Sequence, residues 1–255
     1  MRRLLQTALL LLSGLGLLRV ALFTDLYLRY VKEGMRPLLI ASGAVLILLA
    51  GADMVSYLRR RGHDARTDHG DDGHEHGHGH GHHHSHVPRP AWLLFLPALS
   101  LLLYAPPALG AYTASREPAK TVPLRDSFEP LPATSPLPIT LTDFTSRVQQ
   151  DRTGAIRGRT VRMTGFVTSA GEKGSWFLTR IMISCCAADA RSVKVRVHGT
   201  PAPAADTWVA VTGTWHPGGT LGTDSAPVAL DGRSVEKVAK PVNSYKDALP
   251  WVPGG

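Results

Sequence analysis

The clearest structural signal in the C-terminal half is the segment Ser192-Val193-Lys194-Val195-Arg196-Val197-His198. Its valines alternate strictly with polar residues, so one face of the segment is apolar and the other is polar. Successive side chains of a β-strand point to opposite faces of a sheet, and this period of two is typical of a half-buried strand. The stretch therefore predicts a β-strand.

Four further strands are predicted near this one, each a short run rich in strand-forming residues, and turn residues such as those at 170–174 and 217–219 separate them. The four strands cover residues 160–167, 176–184, 208–215 and 235–239. Before them, Leu141, Phe144 and Val148 recur at helical spacing and predict a short helix up to Gln150. A C-terminal β domain at residues 139–247 with five short strands favours an OB-like β-barrel, with a β-sandwich as the alternative.

The front of the chain has a different pattern, because its apolar residues come in long runs. Two runs lie within residues 1–58 and a third at residues 91–111. A helix of about 20 apolar residues is long enough to cross a bilayer. The runs predict three transmembrane helices, and the fold class is membrane α plus all-β. Residues 112–138 are rich in proline and predict an extended tether, and residues 248–255 form a tail.

Charged residues near the spans predict the orientation of the chain. Lysine and arginine are retained in the cytoplasm, and the Arg59-Arg60-Arg61 cluster directly follows the second apolar run. We therefore expect a multi-pass protein of the cell membrane, with its N-terminus inside and its C-terminal domain extracytoplasmic. Asp53 is the only acid inside an apolar run, which makes it either a functional group or a carboxylate solvated among the headgroups.

Residues 59–90 form a low-complexity loop that holds ten of the twelve histidines. Neutral imidazole is a common ligand of zinc and other transition metals, and interspersed glycines let several rings reach one ion. The tract predicts a segment that buffers or senses metal, with zinc as the candidate ion, and a passive linker is the alternative. The predicted ligands are His74, His76, His78, His80, His82, His83, His84 and His86.

Both cysteines of the chain, Cys185 and Cys186, are adjacent, and Asp189 follows them. Thiolate and carboxylate groups are ligands that zinc accepts, so the three residues predict a metal site. Thiol redox chemistry and simple burial at the end of a strand are open alternatives, whereas a vicinal disulfide would close a strained ring. Two cysteines do not complete a zinc site, so a partner chain, or His198 and His216 at other strand ends, would have to contribute.

Five motifs, at residues 158–167, 176–180, 184–190, 208–213 and 240–245, together resemble the YcgQ-like family of predicted permease subunits. Members of this family are bacterial membrane proteins with N-terminal spans and a C-terminal domain. The resemblance implies a larger permease subunit as partner and, in some bacteria, a link to zinc homeostasis. It assigns no role to Cys185, Cys186 or Asp189.

These observations predict a non-enzymatic accessory subunit of a two-component permease, concerned with a transition metal. The alternative is a membrane-tethered thiol oxidoreductase, which requires a low thiol pKa of the kind that Arg180 or Arg191 would produce. Nucleic-acid binding is not expected, because it would need aromatic platforms on a basic face and a cytoplasmic domain.

Overall fold

The structure, a computed structural model, describes residues 2–64, 108–118, 122–172 and 174–249. The chain divides into two compact units, one formed by Met1–Leu17 with Ala41–Ala108 and the other by Leu18–Ile40 with Leu109–Gly255. The predicted histidine ligands and residues 91–107 of the predicted third span lie outside the described residues.

Two long helices open the chain: α1 (Arg2–Phe23) and α2 (Arg36–Asp64). The stretch Gln6–Phe23 lies within α1, and the stretch Glu33–Arg59 covers most of α2 and the turn before it; both are apolar and long enough to cross a membrane. The two helices match the two spans predicted within residues 1–58 and are consistent with membrane association.

Small and polar residues lie where α1 meets α2. A Cβ atom on Gly14 would lie 2.8 Å from Ile47 and 2.9 Å from the Gly43 carbonyl oxygen, so the helix backbones approach closely. The Thr7 hydroxyl donates to the Asp53 carboxylate at 2.7 Å. Asp53 therefore has a polar partner on the other helix. The sequence alone allowed two roles for it, a functional group or a carboxylate solvated among the headgroups.

The connection between these helices is called the α1–α2 loop (residues 24–35). It contains two short 3₁₀ helices, Leu26–Arg29 and Glu33–Met35, and it belongs to the same compact unit as the C-terminal half. The Arg36 side chain donates to the Ala21 carbonyl oxygen at 2.8 Å, which satisfies one of the free carbonyl groups at the end of α1.

Two shorter helices follow, α3 (Ala111–Arg116) and α4 (Leu141–Gln150). The bounds of α4 confirm the helix predicted from its apolar spacing, and its Leu141, Phe144 and Val148 side chains are fully buried. The Thr140 hydroxyl caps the N-terminus by accepting a hydrogen bond from the Asp143 amide at 3.0 Å.

The C-terminal half is built on six strands joined in one mixed sheet, whose order is β1-β2-β3-β4-β6-β5 with a further pairing between β2 and β5. Parallel pairings join β1 to β2 and β4 to β6, and the other neighbours are antiparallel. The strands are β1 (Leu137–Pro138), β2 (Thr160–Ser169), β3 (Ser175–Met182), β4 (Arg191–His198), β5 (Trp208–Trp215) and β6 (Ala229–Lys237).

The predicted five-stranded OB-like barrel, with a β-sandwich as alternative, is confirmed only as a sheet domain that follows the helices. The sheet has six strands because β1, whose two residues carry no alternation, pairs with β2. One sheet rather than two is present, so the sandwich prediction is wrong for the described residues. The last strand begins at Ala229, six residues before the predicted start at Val235, because residues 229–231 pair with β4.

Residues 122–136, which belong to the predicted tether, pack along the folded domain. Val122 is buried in the main core, and Leu131 packs against it. The Arg147 guanidinium donates to the Glu129 carbonyl oxygen at 2.9 Å, and the Gln150 side chain accepts from the Arg125 amide at 2.9 Å. This part of the tether is therefore held against α4.

Most of the domain's apolar side chains form a single main core between the sheet and α4. The alternating valines of β4, Val193, Val195 and Val197, are all buried in this core, as their alternation predicts. Gly165 on β2 lies close against the backbone of β3, because a Cβ atom there would lie 2.7 Å from the Thr179 carbonyl oxygen.

We predict that Gly165→Ala destabilises the domain by about 1–3 kcal/mol, because the added methyl group would press on the β3 backbone. Thermal unfolding of the full chain, followed by fluorescence of the buried tryptophans, measures the effect. Gly34→Ala is the control, since a Cβ atom on Gly34 meets nothing within 4 Å. Equal melting temperatures for the two variants would show that the β3 backbone moves to accommodate a methyl group at Gly165.

Candidate functional site

The cysteine pair lies in the connection between β3 and β4, in a segment called the thiol turn (residues 184–189). Asp189 closes this turn: its two carboxylate oxygens accept the amide hydrogens of Ser184 at 2.9 Å and Cys185 at 2.7 Å. The Asp189 amide in turn donates to the Cys186 carbonyl oxygen at 3.0 Å. The aspartate at this spacing therefore fixes the backbone that presents both thiols.

The thiol turn pairs with the α1–α2 loop through the backbone. Val31 and Cys186 form an antiparallel β-bridge. The Lys32 amide donates to the Cys185 carbonyl oxygen at 3.0 Å, and the Ala187 amide donates to the Tyr30 carbonyl oxygen at 2.7 Å. The thiol turn is thus held by the connection between the two candidate membrane helices, a contact that no local sequence pattern indicates.

The C-terminal segment (residues 240–248) packs against the thiol turn and the loop. The Ile183 amide donates to the Tyr245 carbonyl oxygen at 3.2 Å, and the buried Tyr245 hydroxyl donates to the Leu109 carbonyl oxygen at 2.9 Å. Glu33 of the loop accepts a hydrogen bond from Asn243 at 3.3 Å. Ile183 and Tyr245 belong to a small apolar cluster, and Ala187 of the thiol turn packs against it.

Both cysteines are free thiols, with Cys185 exposed and Cys186 half-buried. The hydrogen bond to the Asp189 carboxylate, followed by the one to Cys186, raises the pKa of the Cys185 thiol to about 11. The same Cys185 hydrogen bond and the backbone amides lower the pKa of Asp189. Cys185 is therefore a protonated thiol at neutral pH, which is the opposite of the activated thiolate that redox catalysis needs.

The structure brings Cys185, Cys186 and Asp189 together, as their spacing predicts. Asp189, however, already uses both carboxylate oxygens on backbone amides. Within residues 2–64, 108–118, 122–172 and 174–249, no group of three or more histidine, cysteine or acidic side chains is arranged to hold a metal ion. A metal at the thiol turn would have to displace thiol protons and take further ligands from elsewhere.

A cleft of about 560 Å³ opens beside the thiol turn, between the α1–α2 loop and the C-terminal segment. Val31 and Lys32 line it from the loop, Met182 from β3, Ser184 from the thiol turn, and Asp247 from the C-terminal segment. Its volume is within the range of small-ligand sites, and it gives the turn an open side toward solvent.

A comparison with known protein families identifies a domain in the part of the chain that carries the thiol turn. The model of one domain family matches from residue 138 to residue 246, the stretch that contains α4, β2 to β6 and the thiol turn. Residues 138–246 form a DUF1980 C-terminal domain. No curated protein and no solved structure matches the chain. The comparisons thus identify a DUF1980 C-terminal domain, and no named homologue supports the expected relation to YcgQ-like permease subunits.

His198 and His216 of the DUF1980 C-terminal domain do not reach the thiols. His198 pairs with Ser175 at one end of the β3–β4 hairpin, while the thiol turn joins Met182 and Arg191 at the other end. The two histidine rings stack on each other with centroids 4.5 Å apart. A hydrogen bond of 2.6 Å joins His216 Nδ1 to the Asp231 carboxylate. These histidines therefore form a separate cluster, and the meeting considered from the sequence does not occur.

Arg180, considered from the sequence as a residue that would lower a thiol pKa, has a different partner. Its buried guanidinium lies 3.5 Å from the Asp247 carboxylate and 4.9 Å from the centroid of the Trp208 ring. Burial lowers the pKa of Arg180, and the Asp247 charge opposes this shift. Asp247 also accepts hydrogen bonds from the Thr142 amide and hydroxyl at 2.7 and 2.6 Å. No local sequence pattern predicts this pairing, since Asp247 lies in an irregular segment.

We predict that Asp189→Asn lowers the pKa of Cys185 from about 11 toward its ordinary value of 9.0, because the carboxylate that raises it is removed. The alkylation rate of Cys185 should then rise at a lower pH than in the parent. The measurement is the rate of iodoacetamide labelling against pH in Cys186→Ser chains with and without the Asp189 change, so that a single thiol reports. Identical pH profiles would show that Asp189 does not control the thiol.

Proposed function

We propose that the chain is a non-enzymatic accessory subunit of a two-component membrane permease, concerned with zinc or another transition metal. The observation that carries the proposal is the pairing of the thiol turn with the α1–α2 loop. Because this loop joins two candidate spans, the pairing holds two accessible thiols beside the entry points of the chain into the membrane. A membrane-embedded partner is the protein best placed to use thiols in this position.

The same pairing supports the proposed topology. When α1 and α2 both cross the bilayer, the α1–α2 loop lies on one side and the end of α2 lies on the other. The thiol turn packs on the loop, so the domain that carries it shares the loop's side. An odd number of crossings is then needed between residues 64 and 109, as the predicted third span supplies. With the Arg59-Arg60-Arg61 cluster inside, the C-terminal domain is extracytoplasmic.

The state of the thiols supports a binding role over a catalytic one. Thiol–disulfide exchange begins with attack by a thiolate, and the pKa of Cys185 near 11 leaves that species scarce at neutral pH. Metal binding tolerates this pKa, since an ion that binds sulfur displaces the proton. The thiol oxidoreductase is therefore the weaker proposal. We further propose that the permease completes the ligands of an ion bound at the thiol turn, and that the histidine tract buffers or senses metal on the cytoplasmic side.

The strand pairing supports an OB-like interpretation of the domain. Each strand from β2 to β6 pairs with two others of this set, in the cyclic order β2-β3-β4-β6-β5. OB-like domains bind ligands through their strand faces and connecting loops, and the thiol turn is such a connection. Nucleic acid is not proposed as a partner, because Trp176 and Trp215 are buried and not available as stacking platforms.

Zinc binding tests the metal role of the thiol turn. In a full chain whose tract histidines are changed to serine, we expect Cys185→Ser, Cys186→Ser to abolish zinc binding that the parent retains. Binding should weaken as the pH falls, because each thiol must release its proton. Competition with a fluorescent zinc chelator, under anaerobic conditions, measures the affinity.

Ser192→Ala is the matched control, since Ser192 is a buried residue of β4 outside the thiol turn and is not a metal ligand. Its affinity for zinc should equal that of the parent. Equal binding by the parent and the double-serine chain would remove the metal role from the thiol turn. Purification of the full chain from its native membrane without any larger multi-span protein would remove the permease role.

Labelling from outside intact cells tests the topology. In a chain without its own cysteines, we expect Gly34→Cys in the α1–α2 loop and Ser234→Cys on β6 to react with a membrane-impermeant maleimide. Gly73→Cys in the histidine tract should react only after the cells are permeabilised. Labelling of residues 34 and 234 from opposite sides would contradict the shared location of loop and domain.

A further inference from the structure

A second cleft lies between the α1–α2 loop and the C-terminal segment and is called the cationic cleft. Its volume is about 310 Å³. The α1–α2 loop contributes Asp25, Leu26 and Arg29, and the C-terminal segment contributes Lys240, Val242 and Tyr245. All of these residues belong to one compact unit.

Two cations, Arg29 and Lys240, face the cleft around Tyr245. The Lys240 ammonium lies 5.8 Å from the centroid of the Tyr245 ring. Burial raises the pKa of Tyr245, and the positive charge of Arg29 opposes this rise. Arg29 is therefore near enough to Tyr245 to influence its hydroxyl group. Asp25 is the one carboxylate among the residues that line the cleft. Among the described residues, neither Arg29 nor Lys240 forms an ion pair. The cleft therefore has net positive charge.

Large apolar side chains surround these cations. Leu26 is 45% exposed and Val242 is 75% exposed. Phe23, the last residue of α1, is 81% exposed. Exposed apolar groups of this size next to each other are typical of surfaces that contact other molecules or lipid. A free phosphate ion would gain nothing from Leu26 and Val242, whereas a lipid would contact them with its tail.

The position of the cleft along the chain specifies its depth in a membrane. The candidate span ends at Phe23, and Leu26 follows three residues later. Residues directly beyond a span lie among the lipid headgroups, where arginine and lysine are attracted to anionic lipids. The cationic cleft thus combines positive charge, apolar surroundings and proximity to the point where the chain leaves the hydrocarbon.

We propose that the cationic cleft is a binding site for one anionic phospholipid. Arg29 and Lys240 bind the phosphate, and Leu26 and Val242 contact the first carbons of the acyl chains. The inference rests on the proposed function only in taking α1 as a membrane span, and it does not depend on the thiols. A bound lipid would hold the C-terminal segment against the α1–α2 loop, the two segments that support the thiol turn.

Lipid retention by the full chain tests the site. Protein in a neutral detergent is titrated with dioleoylphosphatidylglycerol, and bound lipids are counted by native mass spectrometry. We expect one lipid to bind to the parent and to bind about tenfold or more weakly to Arg29→Gln, Lys240→Gln, since each cation near a membrane surface contributes measurably to anionic-lipid binding. Dioleoylphosphatidylcholine should not bind at this site.

The matched control is Arg152→Gln, Arg157→Gln, which removes two exposed cations outside the cleft. It should bind the anionic lipid as the parent does. Equal weakening in both double variants, or equal retention of the neutral lipid, would overturn the proposal. Displacement of the lipid by glycerol 1-phosphate at similar concentration would indicate a site for soluble phosphate instead and would also overturn it.

A further variant separates this inference from the proposed function. Cys185→Ser, Cys186→Ser should retain the anionic lipid as the parent does, whatever its zinc affinity. If no chain binds zinc at the thiol turn but the lipid is still retained, the lipid site is supported and the metal role is not. Loss of lipid retention only in Arg29→Gln, Lys240→Gln would confirm the cleft by itself.

Discussion

Backbone pairing between the α1–α2 loop and the thiol turn organises the C-terminal unit. Tyr30, Val31 and Lys32 pair with Cys185 to Ala187 through amide and carbonyl groups, so the contact does not depend on side-chain identity. Backbone groups that leave water need partners, and here each segment supplies them to the other. The C-terminal segment closes the arrangement through Tyr245, whose carbonyl oxygen and hydroxyl both make hydrogen bonds.

Asp189 has two effects that follow from the same carboxylate. It accepts two amide hydrogens and so shapes the turn, and it raises the pKa of Cys185. The turn therefore presents its thiols in a fixed geometry while keeping Cys185 protonated. Attack on a disulfide requires the thiolate, which is scarce at this pKa, whereas a metal ion that binds sulfur displaces the thiol proton.

Local periodicity predicted much of the fold. The alternation of Val193, Val195 and Val197 and the helical spacing in α4 each depend on burial of one face, and both are observed. The strand β1 was missed because a two-residue segment that ends in proline has no period. At the site, the proximity of Asp189 to the thiols followed from their separation in sequence. The pairing with residues 30–32 and the buried contact of Arg180 with Asp247 depend on chain segments that only the fold brings together.

The contact between Glu33 and Asn243 spans 210 positions of the chain. Segments so far apart meet only after everything between them has been synthesised and placed. The loop is synthesised early, but its backbone partners at residues 185–187 and its side-chain partner at residue 243 are synthesised much later. Assembly of the cysteine-bearing corner is therefore among the last events of biogenesis, and a shortened or stalled polypeptide would reach the membrane without it.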